Sequence, residues 1–358
     1  GLDRGAEVAR RLTLDLSPWL VVAIAGTNGK GSTVAALQQI ALRHGWSVGS
    51  YTSPHLLRFN ERLQIDGVPV SDELICGAFA RVEAHRGDVP LTYFEFTTLA
   101  AFYCLQQYQP HLCLLEVGLG GRLDAVNIID ADITVVTNVQ LDHQQFLGHD
   151  RETIALEKAG IFRPGVPAIC AEYQAPSNLR RAAREAGAHW FQLGHDFDLE
   201  ADLDQQGVPQ WRWRGVDVNG GALEFTAEGA PSLERSAVAA ALQAACMLLP
   251  DPQPQTLMAA AAEADLPGRC QGLEWGGIAV LLDVAHNPAA MQRLLDFAEA
   301  HPVAGRTHLV LALMRDKPAR EMIASLAAIA DGEWYLPALA TERACPVADL
   351  LPLAANYR

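Results

Sequence analysis

The chain alternates between short, uninterrupted apolar runs and longer segments whose apolar residues recur at helical spacing. The first run is WLVVAIAG, residues 19–26. A strand that is apolar at every position is buried on both faces, as in a parallel sheet covered by helices. A glycine-rich turn follows, then GSTVAALQQIALRHG, where small and apolar residues keep helical spacing up to a stop at Gly45. Strand, glycine loop and helix open a β-α-β unit. The alternation continues. FTTLAAFYCLQQY reads as a helix, HLCLLEVGLGG as a short strand running into glycines, and ADITVVTNV as a β-branched strand. RETIALEKAGIF reads as a helix, VPAICA as a strand and NLRRAAREAGAHW as a helix. Strands separated by helices imply a mostly parallel sheet with both faces covered. Ligands of such sheets sit beyond the carboxyl ends of the strands.

Residues 197–230 change character. Turn signals and short alternating segments predict antiparallel hairpins there. SLERSAVAAALQAACMLL returns to helix, and residues 269–358 restart the β-α alternation with GIAVLLDV, the helix after HNPAAM, THLVLAL and REMIASLAAIA. A boundary falls near Leu266-Pro267-Gly268, where Pro-Gly separates an alanine-rich helix from a new strand. The expected fold class is α/β. An N-terminal P-loop ATPase-like domain with a mostly parallel sheet spans 1–266, and a smaller Rossmann-like α/β domain spans 267–358.

Composition narrows the function. At 358 residues, two domains are the natural expectation. A formal net charge of -15, without a basic run, argues against a nucleic-acid binder, which needs positive surface to release counterions. The seven cysteines form no C-x-x-C pair, which argues against a disulfide framework or thiolate zinc site and for a reducing, cytoplasmic setting. No stretch approaches 18–20 uncharged apolar residues, so no membrane partner is expected. The opening GLDRGAEVARRL does not read as a secretory signal. A start without Met and an end directly after an apolar segment raise the expectation of missing residues at both termini.

The strongest chemical signal is GTNGKGST, Gly26 to Thr33. Glycines allow tight turns and close backbone approach. Exposed amides and the positive end of the following helix attract phosphate oxygens. Lys30 supplies a mobile positive charge, and Ser32 and Thr33 offer hydroxyls to phosphate or Mg²⁺. The segment departs from the standard G-x-x-x-x-G-K-[ST] loop: Ile24 stands where the first glycine belongs, and Gly31 separates Lys30 from Ser32.

Three further segments place hard oxygen or imidazole groups at strand ends or loops: Ser53 in YTSPHL, Glu116 in LEVGLGG, and Asp142 and His143 in QLDHQQF. A lone carboxylate ending an apolar strand is expensive unless paired or metal-bound. Mg²⁺, which takes few protein ligands and completes its shell with water and phosphate, suits so sparse a set better than zinc. Each residue also has a plainer reading. Ser53 fits a turn beside Pro54, His143 a satisfied histidine, and Asp142 a cap for the following helix. Lys158 in LEKAGIF reads, by spacing alone, as an exposed helix lysine next to Glu157.

Taken together, GTNGKGS, YTSPHL, LTYFE, LEVGLGGRLDA, QLDH, LEKAGIF, LPGR and DVAHNP run in order from residue 26 to 288. In this order they resemble the dihydrofolate synthase/folylpolyglutamate synthase branch of the Mur ligase family of ATP-dependent, amide-forming enzymes. The resemblance implies that Thr27, Asn28, Gly29, Lys30, Gly31 and Ser32 hold ATP phosphates. It implies that Ser53, Glu116 and His143 bind Mg²⁺, with two ions expected. Lys158 would be carbamylated by CO₂, which makes it an anion able to help fix a metal. Thr92, Tyr93, Phe94 and Glu95 would line a pterin site, with Leu123, Asp124 and Ala125 forming another part. Arg269 and Asp283 would reach ATP from the second domain, and His286 and Asn287 would lie near the reacting centre. Lys30, Lys158, His143 and His286 are thus the catalytic candidates. The family usually has an asparagine where this chain has Ser236, a shorter nucleotide contact with no amide donor. ALMRDKP, Ala312 to Pro318, also departs from the family pattern.

The reaction implied joins L-glutamate to dihydropteroate, or to the γ-carboxylate of a reduced folate, through an acyl phosphate in a site that closes against water. The partners are then small molecules and the protein a cytoplasmic monomer. Three alternatives remain at this point: a cell-wall Mur ligase, a monofunctional folylpolyglutamate synthase, and a nucleotide-binding regulatory protein without catalysis. LTYFE, GLGGRLDA and the extra glycine of GKGS weigh against the first.

Overall fold

The computed structural model describes residues 2–15, 19–203 and 206–357. Two compact units divide the chain, Gly1–Leu266 and Pro267–Arg358.

The first unit is built on an eight-stranded sheet. Its strands are β1 (Leu20–Ala25), β2 (Val48–Tyr51), β3 (Leu63–Ile65), β4 (Val68–Pro69), β5 (Leu112–Glu116), β6 (Ile133–Val136), β7 (Pro167–Cys170) and β8 (His189–Gln192), in the order β4-β3-β2-β5-β1-β6-β7-β8. All pairings from β2 to β8 are parallel; β3 and β4 add an antiparallel edge. The apolar runs are continuous because alternate residues serve two cores. Val21, Ala23, Cys113 and Leu115 pack on one side of the sheet, Val22, Ile24, Leu112 and Leu114 on the other.

The first face is covered by α1 (Leu2–Arg11), α3 (Asp72–Arg86), α4 (Tyr93–Tyr108), α6 (Arg151–Ala159) and α7 (Ser177–Ala186). The second is covered by α2 (Lys30–Arg43), α8 (Arg235–Leu248), α9 (Pro254–Glu263) and a three-stranded antiparallel sheet. That sheet is β9 (Asp198–Leu203), β10 (Pro209–Val216) and β11 (Ala222–Glu228), in the segment expected as hairpins. Asp204 and Gln205, within the same expectation, lie outside the described residues. One helix boundary differs from the sequence reading. In NLRRAAREAGAHW the helix stops at Ala186, Gly187 takes a left-handed cap at φ 72°, and His189-Trp190 open β8 instead. Glycine supplies that conformation without a Cβ penalty.

The second unit has its own small core of Met291, Leu311, Leu313, Met322, Ile323, Leu326, Trp334, Leu350 and Ala354. It contains an antiparallel hairpin of β12 (Gln271–Trp275) and β13 (Ile278–Leu282) and a short parallel pair of β14 (Leu309–Val310) and β15 (Trp334–Tyr335). The hairpin partner of GIAVLLDV had no apolar run to announce it: QGLEW is mixed in polarity and mostly exposed.

Candidate active site

Four adjacent parallel strands, β2-β5-β1-β6, end at one edge of the sheet. Glu116 ends β5, and Ser53, the Gly26–Gly29 turn into α2 and Asn138–His143 follow the other three strands, so residues far apart in sequence converge there.

The glycine loop turns directly from β1 into α2. Gly29 caps the helix at φ 82°, where a side chain would be strained. A Cβ on Gly26 would fall 1.8 Å from Thr137 Oγ1, so only glycine lets the loop lie against the end of β6. Thr137 Oγ1 donates to the Asn28 carbonyl at 2.5 Å, and the Asn28 amide donates to Asn138 Oδ1 at 3.0 Å. Thr27 is stitched to the same loop: its amide donates to Asn138 O at 3.0 Å and its hydroxyl accepts from Gln140 N at 3.0 Å. Lys30 Nζ donates to the carbonyls of Gly26 and Thr27, each at 3.2 Å, and lies 3.8 Å from Glu116. Ser32 and Thr33 are buried, with Thr33 Oγ1 donating back to Gly29 O at 3.1 Å. At the start of α8, Glu234 reaches toward Gly29 and accepts from Ser236 Oγ at 2.9 Å, so the Ser236 hydroxyl is engaged locally.

Glu116 is buried and accepts the Ser53 amide at 3.1 Å. This pairs two of the three metal candidates directly. The third, His143, is exposed at the start of the one-turn helix α5 (Gln144–Leu147). Asp142 does not cap that helix in the expected manner. His143 itself occupies the cap position at φ 49°, and Asp142 Oδ1 accepts its amide at 2.8 Å. The reason is the left-handed turn, which leaves Asp142 one residue too early. Among the described residues no three His, Cys, Asp or Glu side chains form a ready cage. A hard cation beside Glu116 would complete its shell from the Ser53 hydroxyl, water and phosphate oxygens, and this donor set fits Mg²⁺.

Lys158 overturns its exposed-lysine reading. Its side chain is buried, and burial, with Lys30 nearby, pulls its pKa from 10.5 down to about 7, opposed by Asp142. The glycines of LEVGLGGR and LEKAG make that burial possible. A Cβ on Gly121 would come within 2.9 Å of the Glu157 and Lys158 carbonyls, and one on Gly160 within 2.4 Å of the Arg122 backbone. Arg122 N donates to Glu157 O at 2.8 Å, fastening the loop over the end of α6.

The pterin candidates meet around Gly118. A Cβ there would strike the Phe94 ring at 2.5 Å, and Asp124 accepts amide hydrogens from Gly118, Leu119 and Val126. Burial pushes the Asp124 carboxyl up to about 6, against the pull of those amides and of Lys30. Leu123 is exposed and Ala125 buried. Thr92 and Glu95 have a visible local duty. They form a capping box for α4, with Glu95 N donating to Thr92 Oγ1 at 3.2 Å and Thr92 N to Glu95 at 2.7 Å. Tyr93 is largely exposed and faces the Arg62 guanidinium at 5.8 Å.

In the second unit, Asp283 accepts the amides of Cys270 at 2.7 Å and Ala285 at 2.6 Å, ordering the turn that bears Arg269. Asn287 is buried and caps α10 (Pro288–Ala300) by accepting from Ala290 N at 2.9 Å. His286 Nδ1 lies 3.0 Å from the Val284 carbonyl.

Sequence reasoning missed Asn138, Arg151 and Glu172. The signal for Glu172 was present: it follows an apolar strand just as Glu116 ends one.

The glycine loop with Lys30, the buried carboxylate of Glu116 and the buried amine of Lys158, which feels the charge of Lys30, thus gather by the strand ends of a parallel sheet, where such sheets bind ligands. The family description "Mur ligase, glutamate ligase domain" matches residues 268–351. The dihydrofolate synthase/folylpolyglutamate synthase of Escherichia coli is 38% identical over 99% of this chain and 82% of its own length. A structure of E. coli FolC with DHPP and ADP superposes with a TM-score of 0.90 at 38% identity, covering 99% of this chain and 83% of that one. A bifunctional folylpolyglutamate synthase/dihydrofolate synthase with Mn, AMPPNP and L-glutamate bound gives 0.89 at 37% identity, covering 99% and 83%. The chain belongs to the dihydrofolate synthase/folylpolyglutamate synthase family.

Proposed function

We propose that this protein uses ATP and Mg²⁺ to join L-glutamate to dihydropteroate and to the γ-carboxylate of reduced folates, acting as a cytoplasmic monomer. The observation that carries the reading is the cluster at the ends of β5, β1 and α6: Lys30 beside buried Glu116, with buried Lys158 in the field of both Lys30 and Asp142. The relatives described above, which bind ADP, DHPP, AMPPNP and L-glutamate, support the same substrates here.

When bound, ATP supplies the phosphoryl group that turns the substrate carboxylate into an acyl phosphate, and Mg²⁺ offsets phosphate charge. The residues of the chain do the rest. Amides of Gly29 to Ser32 at the start of α2 cradle phosphate oxygens, with Thr27 and Asn28 fastened to Asn138 to hold the loop open toward them, and Lys30 leaves its carbonyl contacts to oppose the charge that builds up on transfer. Glu116, the Ser53 hydroxyl and His143 are the residues that would hold the cation. Lys158, with its pKa lowered to about 7, has about half its amine unprotonated at pH 7 and so presents it to CO₂. Carbamylation would form a C–N bond, release one proton and turn the lysine into a carbamate anion able to help fix the metal. Phe94 and Asp124, joined through Gly118, take the pterin, with Thr92, Tyr93, Glu95, Leu123 and Ala125 shaping its surroundings. In the second unit Arg269 and Asp283 bind nucleotide and His286 serves the reacting centre. The domain roles follow: 1–266 binds ATP and pterin, and 267–358 is the ligase C-terminal domain.

The test is product analysis by mass spectrometry of the purified protein with ATP, Mg²⁺, L-glutamate and either dihydropteroate or tetrahydrofolate. Amide products are expected from both. Absence of product from both would sink the reading, and product from tetrahydrofolate alone would reduce it to folylpolyglutamate synthesis.

A further inference from the structure

The loop that links the phosphate loop to His143 is gripped from its far side by an ion pair outside the cluster described so far. Glu172, two residues beyond β7, and Arg151, the first residue of α6, form a salt bridge. Each partner also takes one backbone group of Val139. Arg151 Nε donates to the Val139 carbonyl at 2.7 Å, and the Val139 amide donates to Glu172 Oε2 at 3.0 Å. Val139 is fully buried, so neither group has water as a substitute. Gln140 Nε2 reaches Glu172 Oε1 at 3.4 Å, while the Gln140 backbone holds Thr27. Arg151 Nη2 also donates to Gln174 O at 3.1 Å, which anchors the guanidinium to the segment after β7.

The arrangement is more than a surface ion pair. The Glu172 side chain is 12% exposed, and burial raises its pKa against the pull of Arg151 and the Val139 amide. Removing either partner of such a pair would leave the other charge buried and uncompensated. The pair grips the peptide between Asn138, which binds the Thr27 and Asn28 amides, and Asp142-His143. We propose that Arg151 and Glu172 are a positioning pair that sets the Asn138–His143 loop, coupling the phosphate loop to the metal-side residues. The inference rests on the ligase reading for the roles of Thr27 and His143. The clamp itself acts through the peptide of Val139 and touches no substrate.

The test compares Glu172→Gln, Arg151→Lys and Glu172→Ala in the full chain. Glu172→Gln keeps an acceptor for the Val139 amide but turns a carboxamide NH2, a donor, toward the donors of Arg151 and Gln140. Arg151→Lys keeps the charge but loses the fork. Three quantities are read: the Kd of a fluorescent ADP at fixed Mg²⁺, which needs no turnover; KM for dihydropteroate; and the thermal midpoint. Outer partners of metal-site ligands typically change affinity or activity by 10–100-fold. Glu172→Gln is accordingly expected to weaken ADP about tenfold and to lower kcat, with KM for dihydropteroate unchanged. Glu172→Ala is expected to weaken ADP further, and Arg151→Lys to fall between Glu172→Gln and the unsubstituted protein. Unchanged ADP affinity in a folded Glu172→Gln protein would overturn the proposal. So would losses that fall equally on ADP affinity and dihydropteroate KM and follow the thermal midpoint, because a purely structural pair gives that pattern. Failure of the ligase reading would be separate: the unsubstituted protein would make no amide, yet the ADP titration would still read the clamp.

Discussion

Replacing Lys158 by Met tests the central residue through stability and activity together. The lysine's pKa falls from 10.5 to about 7 through burial, which makes its charged form roughly 5 kcal/mol less favourable in the folded protein than in water. Between pH 7 and 10.5 the unfolded chain binds more protons than the folded one. Unfolding free energy therefore rises with pH across that window, and below pH 7 the full penalty is present. Integrated at pH 7, where the folded group is half protonated, the penalty is roughly 4 kcal/mol, falling to roughly 2 kcal/mol at pH 9. Methionine keeps the length of the side chain and removes the charge, so Lys158→Met should be the more stable protein in CO₂-free buffer. The gain should approach those values as an upper bound and shrink from pH 7 to 9. Denaturant unfolding followed by tryptophan fluorescence measures it. Bicarbonate should stabilise the unsubstituted protein and leave Lys158→Met unaffected, since only the lysine forms a carbamate. Ligase activity should be largely lost in the variant, and in the unsubstituted protein it should decline as pH drops below about 7 and the amine protonates. A variant no more stable than its parent at pH 7, with a difference independent of pH, would refute the buried-charge argument. Near-normal activity would refute the carbamate.

Three further outcomes are expected. Gly160→Ala would place a Cβ 2.4 Å from the Arg122 backbone, so it should cost about 1–3 kcal/mol and raise KM for dihydropteroate as the Arg122–Asp124 loop shifts, read by thermal melting and kinetics. Thr92→Ala should destabilise by about 1 kcal/mol through loss of the α4 cap, whereas Thr92→Ser should keep both stability and pterin KM. A raised KM in the serine variant would show that the threonine methyl meets substrate. Ser236→Asn adds an amide donor that serine lacks and should tighten ADP binding severalfold, measured by calorimetry.

The sequence by itself determined whatever depends on near neighbours. The apolar runs became the strands of a parallel sheet because burial on both faces demands it at every position. The glycine loop was legible because a strand, a turn and a helix start are consecutive. Glu116 was legible because a carboxylate ending a buried strand needs a partner. The T-x-x-E pattern of Thr92 and Glu95 carried a capping-box signature, which the resemblance to substrate-binding residues overshadowed.

Tertiary structure decided what depends on approach between distant segments. Lys158 and Glu157 are sequence neighbours on one helix, yet only Lys158 is buried, because Gly121 and Gly160 allow the Arg122 loop to close over that end of α6. No spacing rule contains that contact. The left-handed turn that puts His143, not Asp142, at the start of α5 is likewise a choice of backbone. The grip of Arg151 and Glu172 on Val139 joins the start of α6 to the segments after β6 and β7, and none of the three carries its own evidence of the other two. Local sequence specifies which groups are chemically expensive to bury; the packing of the sheet and its helices decides which partners meet them.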